Sequence, residues 1–356
     1  MEMYSTLEEY RKVYEMLADE ESRDIYLNKL NWLISGNQKY IDAIVVKYLP
    51  GVPLLKKAGV AELKKSMPQD REVVLYGAGS IGKILLRYWQ DDDRFVGFCS
   101  QTKEKQKKGY CGWPVISPEQ LLAQKDMSVL ISTTRSNKEI RKILKEGGYP
   151  QDQIYSWAEY DYEDPGQYFA PDFMVYGDEE VFIDAGCCDL NSTLQLRKYC
   201  KHLKKVYALE PDPESYAVCQ EKKARFHVDE AELFPVGAWS ERTTLHFKAT
   251  NDGVSHVCDD GEIVVPVATI DEIVEKENPK VTMIKMDIEG SELEALKGAK
   301  KTIQRNKPKL AICIYHKPED MLEIPLYIKS LVPEYKLYVR HHSNSNVETV
   351  LYAVRP

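Results

Sequence analysis

An alternation of ionisable and apolar residues marks one segment in the C-terminal third of the chain. The run from Ile284 to Glu289 is IKMDIE, and it is followed by GSE. Because alternate residues of a β-strand share a face, Lys285, Asp287 and Glu289 are predicted to lie together. Ionisable groups on a central strand are costly to bury unless they are paired. A structural ion pair is the plain interpretation, but a position at a strand tip favours a ligand site.

Two preceding segments carry residues suited to a nucleoside. Asp184 and Gly186 end an apolar strand and a helix begins near Asn191, an order that brings backbone N–H groups up to a ligand. Glu210 ends the next strand, where a carboxylate accepts both hydroxyls of a ribose. Trp239 follows a third strand and is suited either to stack on adenine or to pack in the core. The residues assigned to cofactor binding are Asp184, Gly186, Asp189, Glu210, Asp212 and Trp239.

Proton transfer needs a positioned acid or base, and the strand tips offer several candidates. The candidate catalytic residues are Lys285, Asp287, Glu289 and His316. For His316, which ends the fifth strand, a hydrogen bond to the following turn is an equal structural explanation. No metal ligand is assigned, with a divalent ion on Asp287 or Glu289 as the alternative. His341 and His342 are expected to be solvated turn residues.

Alternating strands and helices must position these residues. Seven strands are predicted, at Val181 to Asp184, Val206 to Leu209, Leu233 to Ala238, Thr282 to Asp287, Leu310 to Tyr315, Tyr335 to Arg340 and Thr349 to Val354. Only a turn-forming SNSN stretch joins the last two, so they must pair antiparallel. Two candidate hairpin strands, Thr244 to Phe247 and Ile263 to Val267, lie between the third and fourth. The pattern predicts an α/β fold whose mostly parallel sheet closes with an antiparallel hairpin.

A glycine motif lies in the N-terminal half. Gly77, Gly79 and Gly82 form a G-x-G-x-x-G between a predicted strand and a helix, the context of a dinucleotide site. The next strand ends in FCSQ without an acidic residue, which disfavours plain NAD. A run of lysines at 103, 105, 107 and 108 is suited to a 2′-phosphate, although such runs are usually solvated loops. We favour a nucleotide or nucleotide-sugar pocket, with a scaffold lacking a ligand and an NADP site as alternatives.

Four regions follow from these patterns. N-terminal helices occupy residues 1–66, a small Rossmann-like α/β domain 67–160, a linker rich in Tyr, Asp, Pro and Gly 161–178, and the second α/β domain 179–356. The short amphipathic helices need a packing partner. We expect them to pack on the next domain along the chain, with homodimer formation as the alternative.

Composition limits the class of partner. A net charge of −8 with interspersed signs argues against nucleic acid. No apolar run approaches the ~20 residues that span a bilayer, so no membrane partner is expected. The eight cysteines contain no C-x-x-C pair, which indicates reduced thiols and a cytoplasmic location.

From about Glu180 to its C-terminus the chain resembles the FkbM family of methyltransferases. The resemblance rests on IKMDIEGSELEALKGA, the LEPD tip, ATIDEI and IYHKPEDM. It implies a class I methyltransferase fold, a seven-stranded sheet whose last strand is antiparallel. It also implies S-adenosylmethionine as cofactor, with Asp184 and Gly186 at its methionine end and Glu210 on its ribose. The family's first loop usually has a second glycine, where this chain has Leu190.

The resemblance implies O-methyl transfer to a hydroxyl of a sugar, glycan or other small molecule. The N-terminal segment resembles small Rossmann-like domains that accompany sugar-modifying enzymes. The alternative is an NADP-dependent or nucleotide-sugar-binding protein with a non-catalytic C-terminal domain. Against an oxidoreductase, no Tyr-x-x-x-Lys pair follows the glycine motif at a usable spacing.

Overall fold

Two compact units make up the chain in a computed structural model. The structure describes residues 2–50, 52, 57–133, 136–157, 164, 166–249, 255–257 and 263–356. One unit contains residues 1–49, 163–249 and 255–356, and the other contains 50–162 with 250–254. Of the expected linker, residues 161–163 and 165 lie outside the described part. None of the described helices is long and apolar enough to cross a membrane.

The N-terminal segment is helical from its first described residue. Its helices are α1 (Glu2–Met16), α2 (Glu20–Ser35) and α3 (Lys39–Tyr48). Asp19 begins α2, because its side chain accepts a hydrogen bond of 2.8 Å from the backbone N–H of Ser22. Gly36 ends α2 in the left-handed conformation that glycine adopts without strain.

The glycine motif belongs to a five-stranded sheet in the second unit. Its strands are β1 (Val73–Tyr76), β2 (Phe95–Cys99), β3 (Val115–Ile116), β4 (Ser128–Ile131) and β5 (Ile154–Ser156). The helices of this unit are α4 (Lys57–Ser66), α5 (Ser80–Trp89), α6 (Lys103–Lys108), α7 (Pro118–Ala123) and α8 (Asn137–Glu146). All four strand pairings are parallel and the order is β3-β2-β1-β4-β5, as predicted for a Rossmann-like domain.

A seven-stranded sheet organises the first unit. Its strands are β6 (Glu180–Ala185), β7 (Leu203–Leu209), β8 (Ala231–Phe234), β13 (Met283–Met286), β14 (Lys309–Cys313), β15 (Lys336–His341) and β16 (Thr349–Val354). The order is β15-β16-β14-β13-β6-β7-β8, and β16 is antiparallel to both of its neighbours. The predicted antiparallel closing strand and the class I methyltransferase fold are therefore confirmed.

Helices separate these strands, and a smaller sheet interrupts the series. The helices are α9 (Asn191–Leu196), α10 (Pro213–Arg225), α11 (Ile270–Glu275), α12 (Glu292–Gly298), α13 (Lys300–Asn306) and α14 (Asp320–Leu331). The smaller sheet contains β9 (Gly237–Ala238), β10 (Thr243–Ala249), β11 (Ser255–Val257) and β12 (Ile263–Ala268). The single strand predicted from Leu233 to Ala238 is wrong. It is divided between the two sheets at Pro235, which has no N–H to donate to a ladder.

Helices α1 to α3 belong to the unit of the seven-stranded sheet, so the expectation that the first helices pack on the next domain along the chain is wrong for these three. Helix α2 lies against β15, and α1 lies against α14. The edge strand β15 donates the N–H of Val339 to Ser22 Oγ at 3.0 Å, and Leu337 accepts the N–H of Ala18 at 2.8 Å. These bonds satisfy backbone groups that the edge of a sheet would otherwise leave unpaired.

Candidate active site

The loop after β6 approaches the end of β13 very closely. Gly186 has φ +74°, and a Cβ at this position would lie 2.0 Å from the carbonyl oxygen of Asp287. A side chain is therefore excluded here by contact as well as by conformation. The backbone N–H groups of Gly186 and Cys187 both donate to the carbonyl of Leu209, at 3.0 and 3.1 Å. Gly186 thus brings the tips of three neighbouring strands together.

Leu190 occupies the position where the resemblance leads one to expect a second glycine. Its φ is +64°, the left-handed conformation, which costs a non-glycine residue about 1–2 kcal/mol. Its side chain is fully buried in the hydrophobic core beside Leu196 and Cys219. The loop therefore keeps a glycine-like backbone, and the leucine side chain packs under it.

We predicted that Asp184 contacts the cofactor. Its side chain is instead fully buried and does not face a ligand. Its Oδ2 accepts hydrogen bonds from Ser192 at 2.5 Å and Thr193 at 2.9 Å. Its Oδ1 lies 3.5 Å from Lys285 Nζ. The carboxylate ties the strand to the start of α9 and so positions the loop between them.

Lys285 is buried on the same face of the sheet. Its Nζ donates to the carbonyl of Gly186 at 2.8 Å and lies 5.2 Å from the centre of the Tyr168 ring. Burial alone would lower the pKa of Lys285, but the charges of Asp184 and Asp287 outweigh it and the pKa is raised. The ammonium group stays charged and braces the loop, which makes Lys285 a positioning residue rather than a proton donor.

Glu210 lies at the tip of β7, beside the same loop. Its two carboxylate oxygens accept the backbone N–H groups of Cys188 and Asp212, each at 2.9 Å. Burial raises the pKa of Glu210, opposed by these two hydrogen bonds. The side chain is held in one orientation, with a lone pair on each oxygen still available for a ribose hydroxyl.

Asp287 follows β13 and is enclosed by hydroxyl groups. Its Oδ2 accepts a hydrogen bond of 3.0 Å from Tyr168, and its Oδ1 lies 3.4 Å from the hydroxyl of Tyr315. Burial would raise the pKa of Asp287, but the positive charges of Lys285 and His316 have the larger effect, so the pKa lies below its ordinary value. Asp287 is therefore an anion that several donors hold in place.

His316, which follows β14, lies between carboxylates of the segment after β13. Its Nδ1 is 2.9 Å from Glu292 Oε1, and its Nε2 is 3.5 Å from Asp287 Oδ1 and 3.6 Å from Glu289 Oε2. Burial would lower the pKa of His316, but Glu292, Asp287 and Glu289 raise it to about 9. The structure thus brings His316, Asp287 and Glu289 together, as the sequence predicted. Glu289 has φ +55° and an exposed side chain, so it turns outward rather than continuing the strand.

The other predicted cofactor residues are Asp189, Asp212 and Trp239. Asp189 Oδ2 pairs with Lys222 at 2.6 Å, and Asp212 caps α10 through a bond of 2.8 Å from Ser215 N–H. Trp239 follows β9, is partly exposed, and donates its backbone N–H to the carbonyl of Ala268. A contact between these side chains and a cofactor stays a prediction.

The expectation that His341 and His342 are solvated is wrong. Both are buried, and burial lowers the pKa of each. His341 Nδ1 lies 2.9 Å from Thr349 Oγ1, and His342 Nε2 lies 2.7 Å from the hydroxyl of Tyr352. The turn that joins the last two strands is packed into the unit, which sequence polarity alone does not indicate.

Comparison with protein families identifies the C-terminal domain. Residues 183–336 match the family model described as the methyltransferase FkbM domain. The chain carries an FkbM methyltransferase domain. The predicted family, the predicted enzyme class and the predicted methyl donor, S-adenosylmethionine, are confirmed. Gly186, which leaves no room for a side chain, and the fixed carboxylate of Glu210 fit that cofactor.

Solved structures similar to the chain include several methyltransferases. Methyltransferase FkbM from Methylobacillus flagellatus KT is 22% identical with a TM-score of 0.46, over 88% of this chain and 96% of that one. A SAM-dependent methyltransferase from Aquifex aeolicus is 16% identical with a TM-score of 0.30, over 54% and 93%. TrmK from M. capricolum, in complex with S-adenosylhomocysteine, is 11% identical with a TM-score of 0.33, over 51% and 65%. A search of curated proteins found no match.

The glycine motif lies outside the FkbM domain. Residues 69–155 match the family model described as C2185-like, N-terminal. Within this unit Lys105 Nζ donates to the carbonyl of Ala78 at 2.6 Å, and Tyr110 donates to that of Gly79 at 3.0 Å. The lysine run forms helix α6 rather than the solvated loop we expected. The nucleotide site at Gly77, Gly79 and Gly82 stays a prediction.

The sequence did not lead us to predict three residues of the FkbM domain site. Tyr168 lies in the segment predicted to be a linker, and Tyr315 was assigned only as a strand residue. Glu292 begins α12 and is fully buried, with Oε1 accepting the N–H of Ile288 at 2.9 Å. The signal for Glu292 was present, because it is the last acidic residue of the EGSE motif.

Proposed function

We propose that the FkbM domain methylates a hydroxyl oxygen of a sugar, glycan or other small molecule. The observation that carries the proposal is the position of Asp287, between tyrosine hydroxyls and an imidazole and next to the cofactor loop. Such a cluster is suited to orient a hydroxyl and remove its proton. An amine acceptor, in contrast, is a nucleophile once it is neutral and has less need of a base.

The donor supplies a methyl group that its sulfonium has already activated. A bond forms between the acceptor oxygen and the methyl carbon, the carbon–sulfur bond breaks, and its electron pair stays on sulfur. The exposed carboxylate of Glu289 accepts the hydroxyl proton and passes it to water. Asp287, fixed by Tyr168, orients the hydroxyl. Most of the acceleration comes from alignment of the two reacting atoms.

Charge and cysteine state support the rest of the assignment. A net charge of −8 favours a small-molecule or glycan acceptor over nucleic acid. The described cysteines, which include the buried Cys99, Cys187 and Cys313, are free thiols. Free thiols are typical of a reducing compartment, so we propose a cytoplasmic location.

The test is methyl transfer from radiolabelled S-adenosylmethionine to a panel of sugars, glycans and hydroxylated metabolites. We expect an O-methyl product, identified by NMR, and a loss of about a hundredfold or more in kcat for Glu289→Gln. Glu294→Gln, a change in an exposed pair with Lys297 on α12, is the matched control and should keep its rate. Methylation confined to nitrogen or carbon acceptors would contradict the proposal.

A further inference from the structure

We propose that Asp287, Glu292 and His316 bind one divalent transition-metal ion. One ligand atom from each residue lies within 4.8 Å of the others. The three side chains come from separate places in the fold: the end of β13, the first turn of α12 and the end of β14. A site assembled from three elements is positioned by the sheet itself and does not depend on a single loop.

The ligand atoms of the triad lie near one another. His316 Nδ1 is 2.9 Å from Glu292 Oε1, and the other ring nitrogen, Nε2, is 3.5 Å from Asp287 Oδ1, so an ion binds through one of these two nitrogens. Two ligands that each lie about 2.1 Å from a metal ion are about 3.0–3.5 Å apart in octahedral or tetrahedral geometry. The three ligand atoms, which lie within 4.8 Å of one another, reach these separations by small side-chain rotations around one ion.

A second observation is a buried carboxylate oxygen without a partner at the same place. Glu292 has no exposed surface, and among the described residues its Oε2 has no hydrogen-bond partner. Its other oxygen is occupied by the N–H of Ile288. A buried carboxylate oxygen without a partner is destabilising, and native structures rarely retain one unless it has a role. A metal ion beside His316 supplies the partner.

The surroundings hold two of the three ligands in place. Tyr168 donates to Asp287 Oδ2 at 3.0 Å, which leaves Oδ1 directed at the imidazole. The N–H of Ile288 fixes Glu292 in the same way. Outer hydrogen bonds of this kind commonly orient metal ligands. One imidazole and two carboxylates suit Mn²⁺, Fe²⁺ or Zn²⁺ better than a thiol-preferring ion.

The consequence for catalysis rests on the proposed function. A hydroxyl coordinated by the ion has a lowered pKa, so the weak base Glu289 suffices to take its proton. The acceptor oxygen would then be fixed at the ion, at the tips of the two central strands. Metal binding itself does not depend on which acceptor is methylated.

Mn²⁺ is the appropriate probe, because free thiols compete for Zn²⁺. We would titrate the full chain with Mn²⁺ and follow loss of the free-ion EPR signal, then record the ¹⁴N modulation of the bound ion. We expect one ion per chain and a nitrogen coupling from imidazole. His316→Gln should remove the coupling and weaken binding by about tenfold or more.

Two variants complete the test. Glu292→Gln keeps an oxygen for the N–H of Ile288 but loses the charge, and it should also weaken Mn²⁺ binding. His202→Gln changes an exposed histidine that lies 3.4 Å from Glu179 and should bind Mn²⁺ as the unchanged chain does. Thermal unfolding of each variant shows whether it is folded.

The outcomes separate this inference from the proposed function. Equal Mn²⁺ affinity in the unchanged chain and in folded His316→Gln overturns the metal site, whether or not methyl transfer occurs. Hydroxyl methylation that persists in metal-free protein leaves the function intact and removes the catalytic role of the ion. Binding of one ion with ¹⁴N coupling, combined with methylation of nitrogen or carbon only, supports the site and overturns the function.

Discussion

Removal of the Glu210 carboxylate should weaken cofactor binding strongly. Each carboxylate oxygen accepts one backbone N–H at 2.9 Å and has a further lone pair for one ribose hydroxyl. A hydrogen bond to a charged group contributes about 1.5–3 kcal/mol. Glu210→Ala removes two such bonds, and a small loss of loop order adds to the effect. We expect a total of about 3–6 kcal/mol, or a factor of ~10²–10⁴ in Kd.

Isothermal titration calorimetry with S-adenosylhomocysteine measures this loss without turnover. Glu210→Gln keeps the size of the side chain, but its NH₂ group meets a backbone N–H, of Cys188 or Asp212, where the carboxylate had an acceptor. Its affinity should lie between those of Glu210→Ala and the unchanged chain. Glu232→Ala, an exposed change on the neighbouring strand β8, is the control and should bind normally.

The thermal midpoint separates binding from folding. Glu210→Ala leaves the N–H groups of Cys188 and Asp212 without this acceptor, so a lower midpoint is expected even without ligand. A folded Glu210→Ala variant that binds S-adenosylhomocysteine within about threefold of the unchanged chain, less than 1 kcal/mol, would refute the assignment of Glu210 to the ribose.

Three further predictions concern buried groups. Burial lowers the pKa of Lys29 to about 7, below the unfolded value of about 10.4. The buried ammonium charge therefore destabilises the folded state fully below pH 7, and this destabilisation disappears as the pH rises. Between pH 7 and 9 the unfolding free energy of the unchanged chain should therefore rise by roughly 2 kcal/mol relative to Lys29→Met in denaturant titrations, and parallel pH profiles would contradict this. Gly186→Ala should abolish binding of S-adenosylhomocysteine in calorimetry, since its Cβ would displace the backbone of Asp287; normal binding would show that the close approach is not needed. Lys285→Met should lower the unfolding free energy by about 3–5 kcal/mol, because it leaves the carboxylate of Asp184 buried without its cation, and adding Asp184→Asn should restore part of the loss. A double variant no more stable than Lys285→Met would show that the pair is not coupled.

The order of the sheet was predictable because it depends on short connections and apolar runs. The turn between the last two strands is too short for a crossover connection. This length is enough by itself to make β16 antiparallel to β15. The alternation from Ile284 onward likewise predicted that Lys285 and Asp287 share a face, and in the structure both lie against Tyr168. Both predictions depend only on local backbone geometry, namely the length of a turn and the alternation of side chains along a strand.

The roles of the ionisable residues were less predictable, because burial depends on distant segments. Asp184 was expected at the cofactor, but Ser192 and Thr193 turn its carboxylate into the protein. Lys285 was a catalytic candidate, yet its ammonium group braces Gly186. A strand-tip pattern indicates which residues gather at a site. It does not indicate which of them the next helix covers.

Long-range packing was outside the reach of sequence patterns. The amphipathic helices at the start of the chain show that they need a partner, and their periodicity is the same whichever surface they cover. Glu292 was missed for a related reason. Its position after EGS resembles an exposed first-turn acid of a helix, and only the fold reveals that His316 lies against it.

The pairing of α2 with β15 has a consequence for the order in which the protein can mature. A ribosome makes residues 20–35 long before residues 336–341, and the whole five-stranded unit is translated between them. The first helices must wait, with Ile25 and Tyr26 uncovered, until nearly all of the polypeptide has emerged. The methyltransferase unit can therefore close only after synthesis is almost finished, whereas the glycine-motif unit has all of its strands much earlier. We therefore expect chaperones to bind the nascent chain chiefly at its N-terminal helices.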